Sequence, residues 1–388
     1  MRWPSLRGIA RWTVGLGIPA SLLTLAWKGA DPRAGATLLV QAGPRLPLAL
    51  LPYAVVMALD AFGWRLLMPA GLGRRVRMGS AFNARLAGEA VAQTLPWAGM
   101  AGEAASAWLL TRRTGVPVGR ALGGLVVRRL LMAPAHGLLL AGSALAAVAQ
   151  PALPLALAAA IAATAVLLLV AGAAGTRLVL DGTPFTRIQA ALSQRPWPRV
   201  REWTSRRSVR LSEADRETRR LLAWPWRRRA LAGGCFALVF VAEAAETLLL
   251  LRLLGVAVTP AQVLAIEPVV SLVRSLAVFA PAGLGIQDLG YVSLLYLLGV
   301  PNAGAAAAAF VLLKRLKELV WTSAGWTLLV AADANVPPGA ELSCRTPAAS
   351  GGAKEGGLEA RAAEAAVHLR FAEPDHADAS GRARAAGA

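Results

Sequence analysis

Long apolar runs separated by short basic stretches set the pattern of this chain. After Arg2, Arg7 and Arg11, an apolar run extends from Thr13 to Trp27. Further runs cover 46–72, 121–149, 152–173, 231–254 and 303–332. Each approaches or exceeds the roughly 20 residues that cross a bilayer as a helix. They are continuous rather than alternating, which predicts α-helices and argues against a β-barrel. Two other stretches, 79–112 and 260–299, are too polar and too broken by Gly and Pro for a simple span. Each predicts two short helices meeting at a break, a re-entrant hairpin. The first break is at Pro96 and Gly99, the second at Pro281, Gly283 and Gly285. The expected fold is an all-α polytopic membrane protein of about six full spans plus two hairpins.

The transmembrane domain is expected over 1–332, with halves at about 11–149 and 152–332 and a basic loop, 174–230, between helices. The segment 333–388 is rich in Ala, Gly and charge, without apolar periodicity outside Glu359–Phe371. It reads as a disordered tail. The Thr13–Trp27 run has the form of a signal peptide as well as of a first span; the charge pattern downstream favours the span.

Composition sharpens this class. The chain is 56% hydrophobic and 16% charged, whereas a soluble domain carries about a quarter charged residues. Its net charge of +19 would suit nucleic acid, but the distribution argues otherwise. Residues 193–229 hold twelve Arg and four acids, so this one segment supplies +8. A basic loop between apolar helices is what the positive-inside bias produces. With that loop in the cytoplasm, Arg2, Arg7 and Arg11, then Arg74, Arg75 and Arg77, then Arg112 and Arg113 all fall on the same side. Both termini are then cytoplasmic. The first hairpin enters from the cytoplasm and the second from outside, so the halves are inverted. Trp12, Trp27, Trp64, Trp224 and Trp226 sit near predicted span ends, as an interfacial belt requires. Trp97 is at the first break, where it is a candidate lining of a lipid path.

The two hairpins read as copies of each other. Pro96 to Glu103 reads PWAGMAGE, and Pro281 to Asp288 reads PAGLGIQD. A GVP tripeptide follows each acid, at Gly115-Val116-Pro117 and Gly299-Val300-Pro301. A basic pair follows each tripeptide, Arg128-Arg129 and Lys314-Arg315. The offsets are 185 for proline and acid, 184 for the tripeptide and 186 for the basic pair. Broken apolar segments at matching places in two halves point to a transport site.

Charges inside the membrane need a reason, since each costs about 2.5–3.5 kcal/mol even on a permissive scale. Glu243 and Glu246 lie near the middle of the fifth run and share a helix face. Lys314, Arg315, Lys317 and Glu318 lie near the middle of the last, with Lys314 and Glu318 at an i, i+4 spacing. Arg274 and Glu267 flank the second hairpin, and Arg85 and Glu89 the first. One reading is internal pairing, with Glu243 or Glu246 neutralised by Lys314 or Arg315. The other is a polar cavity for a charged headgroup, where Arg supplies forked donors to phosphate and Lys a point charge. Half-helix N-termini would add positive dipole ends. Glu103 and Asp288 either cap their helices or bind a proton or cation for coupling.

The two cysteines and three histidines show no metal-ligand spacing and no disulfide framework. No metal or cofactor is expected, and no ATP-binding motif is present. The chain resembles the membrane region of lysylphosphatidylglycerol synthases and the related flippase-like membrane proteins, among them members associated with hopanoid biosynthesis. Three places carry the resemblance: Trp64-Arg65-Leu66-Leu67, the PWAGMAGE stretch, and PAGLGIQDLG with the following GVP and the KRLKE of Lys314 to Glu318. It spans about 1–331. Asp288 stands where Glu is commoner, Ala98 where Gly is frequent, and Ser106-Ala107 where Arg is frequent. The large aminoacyl-transferase domain of the bifunctional members has no counterpart in this sequence.

The resemblance implies lipid translocation between leaflets, without enzymatic activity. The expected substrate is an amphiphile with a charged headgroup: an aminoacylated phospholipid, a polyprenyl-phosphate-linked lipid or a hopanoid-type lipid. The expected site joins Asp288, Lys314, Arg315 and Glu318 with Glu103, Arg128 and Arg129, and with Arg274, Glu243 and Glu246 around them. The expected setting is a bacterial inner membrane. A rival reading is a non-catalytic scaffold whose basic loop docks a lipid-modifying enzyme or binds anionic lipid.

Overall fold

Proline opens most of the helices. A proline at the first helical position loses no hydrogen bond, because the N–H there has no partner within the helix. Helix α1, Pro32–Ala42, begins on Pro32, and its N-cap Asp31 accepts from the Ala34 N–H at 3.1 Å. A 3₁₀ turn, Gly43–Leu50, leads into α2, Leu51–Leu66. Then follow α3, Met78–Thr94, α4, Gly99–Thr114, α5, Val118–Val148, and α6, Leu155–Asp181. Next come α7, Ser208–Leu222, α8, Trp226–Leu253, α9, Pro260–Leu276, α10, Ile286–Leu297, and α11, Ala303–Ala334. Pro117, Pro154 and Pro225 are the N-caps of α5, α6 and α8.

This computed structural model describes residues 30–68, 76–94, 99–182, 208–276 and 283–334, with isolated positions elsewhere. Every regular element among the described residues is helical. Among the described residues, four helical segments are long and apolar enough to cross a membrane: Pro32–Leu66, Val118–Val148, Leu155–Asp181 and Trp226–Leu253. They coincide with four of the expected spans, with shifted ends. The second span begins earlier, at Pro32, because the 3₁₀ turn joins α1 to α2 without a break. The fourth extends to Asp181, and the fifth starts at Trp226, because Pro225 rather than the end of the Arg run starts the helix. The basic loop is therefore shorter than 174–230 and contains a helix of its own, α7. Helix α11 has the length of a span, at 32 residues, but its central charges keep it out of the apolar set. The Thr13–Trp27 run, apart from isolated positions, and the tail from 335 onward lie outside the described residues.

The two expected hairpins are helix pairs, α3 with α4 and α9 with α10. Pro96 and Pro281 themselves lie outside the described residues. At about 1.5 Å per residue, the 12-residue α10 is about 18 Å long, short of the roughly 30 Å apolar core. The second arm of each pair ends on a left-handed glycine, Gly115 at φ 68° and Gly299 at φ 66°. A side chain there would clash with the backbone, so Gly stops the helix. Val116 and Val300 then bury, and the proline begins the turn into the next helix. The GVP repeat is thus a helix-stop, anchor and restart.

Packing repeats as well. Within the first half, α2 packs on α3, α3 on α4 and α4 on α5; in the second half, α8 packs on α9, α9 on α10 and α10 on α11. Across the halves, α2 packs on α8, α5 on α9 and α11 on α3. Helix α6 lies outside this arrangement, against α5 and α7, and exposes Leu155, Val166, Leu167 and Val170. Such an apolar outer face needs lipid around it.

Candidate functional site

Asp60 is the one acid of α2, whose other charge is Arg65 in its last turn. Its carboxylate is bracketed by two arginines. Arg85 of α3 donates through Nε at 2.8 Å. Arg128 of α5 donates through Nε at 2.6 Å to one oxygen and through Nη2 at 2.8 Å to the other. All three side chains are buried, at 2%, 5% and 6% exposure. Arg85 also donates to Ser106 of α4 at 3.2 Å. Glu103 of α4 accepts from Arg129 at 2.7 Å and from Arg128 at 3.4 Å. One carboxylate thus ties three helices, and a second ties the hairpin arm to the long helix.

The second half uses the same helices differently. Asp288 of α10 caps its own helix: the Gly285 N–H donates to Oδ2 at 2.9 Å, with Gly285 left-handed at φ 77°. Its other oxygen accepts from Arg315 Nη2 at 2.7 Å and Nε at 3.1 Å. Capping and ion pairing therefore coexist at Asp288. Arg315 Nη1 donates to Glu318 at 2.6 Å. Lys314 turns to α9 and α10, donating to the Tyr291 hydroxyl at 2.5 Å, and Tyr291 donates to Glu267 at 2.8 Å. Glu267 also accepts from Thr247 of α8 at 2.6 Å. Lys317 forms a buried ion pair with Glu246 and lies over the Tyr53 ring of α2, 4.7 Å from its centre. Glu243 accepts from Arg274 at 3.0 Å and from Ser271 at 3.1 Å.

The acids and basic pairs of the sequence repeat meet in both halves, Glu103 with Arg128 and Arg129, and Asp288 with Arg315. The expected pairing of Glu243 or Glu246 with Lys314 or Arg315 is replaced by Arg274 and Lys317. The Lys314–Glu318 pair is replaced by Arg315–Glu318. Helix geometry explains both corrections. Residues 314, 315 and 317 spread over about 160° of the helix surface, at about 100° per residue. Lys317 faces α2 and α8, Lys314 faces α9 and Tyr291 of α10, and Arg315 faces Asp288 of α10.

Among the members of the network absent from the sequence reading are Asp60, Tyr53 and Tyr291. Asp60 carried a usable signal, because the cost of a charge in an apolar run applies to it as to Glu243. The tyrosines carried none, since an apolar ring with a polar tip suits any core.

Accessibility divides the network. Arg274 is 32% exposed, Glu89 32%, Arg315 20% and Glu243 18%. These partly exposed charges come from α3, α8, α9 and α11. Glu89 holds the Gln93 amide at 3.0 Å, Gln93 reaches the Tyr53 hydroxyl at 3.2 Å, and Thr322 of α11 donates to Gln93 at 2.9 Å. Arg129 points away, at 62% exposure. No group of three or more metal-type ligands occurs among the described residues.

Residues 12–316 match the family described as the lysylphosphatidylglycerol synthase TM region. Comparison with curated proteins and with solved structures gave no match.

Proposed function

Because the chain belongs to the family of the lysylphosphatidylglycerol synthase TM region, and is an integral multi-pass membrane protein, we propose that it is a lipid translocase. It moves an amphiphile with a charged headgroup between leaflets of a bacterial inner membrane, without covalent chemistry. One observation supports this reading: the partly exposed charges Glu89, Glu243, Arg274 and Arg315 lie on helices packed among the apolar spans. Charged groups at membrane depth that stay partly accessible belong to pathways rather than to packing. Short, Gly- and Pro-interrupted apolar segments at matching places in two halves are the form that transport sites take. The hairpins are re-entrant in this reading, and the halves are inverted.

The candidate headgroups are those of an aminoacylated phospholipid, a polyprenyl phosphate or a hopanoid-type lipid. Arg274 and Arg315 supply forked donors to phosphate, and Glu89 and Glu243 supply acceptors to an amine. Transport proceeds passively or with an ion gradient.

The test is reconstitution in proteoliposomes with headgroup-labelled phospholipids and isoprenoid phosphates, read with a membrane-impermeant quencher. The expected result is that wild type exposes inner-leaflet label to the quencher, and Asp288→Ala combined with Lys314→Ala does not, while remaining folded. If no lipid of the panel moves with folded wild type, the translocase reading fails. The scaffold reading, with a lipid-modifying enzyme docked at the Arg-rich stretch before α8, then takes its place.

A further inference from the structure

The two halves differ in charge balance at their shared motif. Among the described residues, the first-half ion pairs join Asp60, Glu89 and Glu103 to Arg85, Arg128 and Arg129, three acids to three cations. Apart from Arg220 with Glu217 within α7, the second-half pairs join Glu243, Glu246, Glu267, Asp288 and Glu318 to Arg274, Lys314, Arg315 and Lys317, five acids to four cations. The surplus lies at Arg315, which two carboxylates share. Arg129, its counterpart 186 residues earlier, meets Glu103. At the same offset the counterpart of Glu318 is Met132. The acid at Glu318 is therefore present in one copy of the repeat and not in the other.

The two carboxylates on Arg315 are held unequally. Asp288 is fixed on its helix by the Gly285 N–H and takes two donors of the guanidinium, Nε and Nη2. Glu318 takes Nη1, at the end of a longer side chain. A planar guanidinium binds a phosphate oxygen with the same donors it gives a carboxylate. Glu318 thus occupies a place that a phosphate oxygen fits.

We propose that Glu318 is a displaceable internal stand-in for a phosphate anion, and that it takes up a proton when a phosphate-bearing ligand replaces it on Arg315. This rests on the translocase reading and names the anionic part of its substrate. The exchange balances: one carboxylate leaves the guanidinium as a carboxylic acid, one phosphate oxygen arrives, and one proton enters with it. The net charge of the site in the membrane stays the same, so loading adds no uncompensated charge at depth. The charged groups beside Glu318 are Arg315, which donates to it, Lys314 one turn earlier and Lys317 next to it in α11, and Asp288 of α10, which shares the Arg315 guanidinium.

Calorimetry on the full-length protein in detergent tests this, using short-chain phosphatidylglycerol below its micellar concentration and two buffers of different ionisation enthalpy. A phosphodiester does not titrate near neutral pH, so any proton taken up belongs to the protein. The expected result is about one proton taken up per lipid, with affinity falling about tenfold per pH unit as pH rises. Glu318→Gln, and Glu318→Met with the first-half residue, are expected to bind with no proton uptake and no pH dependence. Inorganic phosphate in a parallel arm separates the two sources of the anion: binding equal to the lipid's assigns the site to free phosphate, and binding of the lipid alone assigns it to a headgroup. Absence of binding to wild type, binding without proton uptake, or uptake that persists in both Glu318 variants overturns the proposal. The flipping assay reads separately. Lipid that moves without headgroup-linked proton uptake sinks this inference and keeps the translocase, and uptake without lipid movement does the reverse.

Discussion

The two hairpins of this protein descend from one pattern and are packed to different ends. In the first, α3 and α4 approach backbone to backbone at Gly88 and Gly102; a Cβ on Gly102 would lie 2.8 Å from Ala92 Cβ and against the Gly88 carbonyl. The counterpart of Gly102, 185 residues on, is Gln287, and the counterpart of Gly88 is Val273. The second pair cannot close in the same way, and α9 and α10 touch over a shorter stretch. The charges follow suit. The first hairpin leans on Asp60, fully buried and saturated by two arginines. The second leans on Arg274 and Arg315, which stay partly open. The first is a closed clamp around a buried carboxylate, and the second keeps its cations partly exposed.

The largest expected effect is on the clamp. Asp60→Ala leaves Arg85 and Arg128 buried without their carboxylate, at a cost of about 3–5 kcal/mol. The protein is expected to be lost from the folded peak in size-exclusion profiles, whatever the lipid. If Asp60→Ala instead folds normally and loses only transport, the division between the halves is wrong.

Next in size is the buried pair in the second half. Lys317→Met alone or Glu246→Leu alone is expected to destabilise by about 3 kcal/mol, while the double variant recovers most of that loss. Thermal unfolding of the four proteins as a cycle measures the coupling. Recovery of stability without recovery of flipping would place this pair in the pathway as well as in the core.

Gly88→Ala follows. The added methyl meets Ser106 and the Gly102 carbonyl, so the first hairpin must spread, with an expected loss of about 1–3 kcal/mol. Gly290→Ala in the second hairpin meets Val270 at 3.4 Å, ordinary contact, and its unfolding temperature is expected to stay within a degree or two of wild type, as estimated for a change below ~0.5 kcal/mol. Equal losses at both glycines would mean the hairpins are packed alike.

The smallest effect on stability is expected at the open pair. Arg274→Gln or Glu243→Gln removes a half-exposed ion pair worth roughly 0–1 kcal/mol. Flipping is nevertheless expected to fall at least about tenfold, about 1.4 kcal/mol of barrier. A fall in stability with transport intact would reverse the roles given to the halves.

Much of this was legible in the residues. Continuous apolar runs located four spans, because helix length against bilayer thickness is a strict constraint. The repeat of acid, GVP and basic pair located a contact that recurs in space, because two copies of a motif fold into two copies of its geometry. Helix ends were less legible. Pro225 and Pro154, rather than the edges of the apolar runs, set where α8 and α6 begin. Partner choice was not legible at all for Lys314, Arg315 and Lys317. Three neighbouring cations on one helix point in three directions, and only the placement of α2, α8, α9 and α10 decides which acid each meets. Asp60 was within reach of the same reasoning that singled out Glu243.

The central charges of α11 also bear on how the protein is made. Lys314, Arg315, Lys317 and Glu318 together cost about 10–14 kcal/mol on an insertion scale, against which the apolar residues of the helix must work. This helix enters the bilayer as the completion of a charge ledger begun by α8, α9 and α10, whose four acids face a single Arg274 until it arrives. A chain cut short before Ala303 carries that imbalance in the membrane.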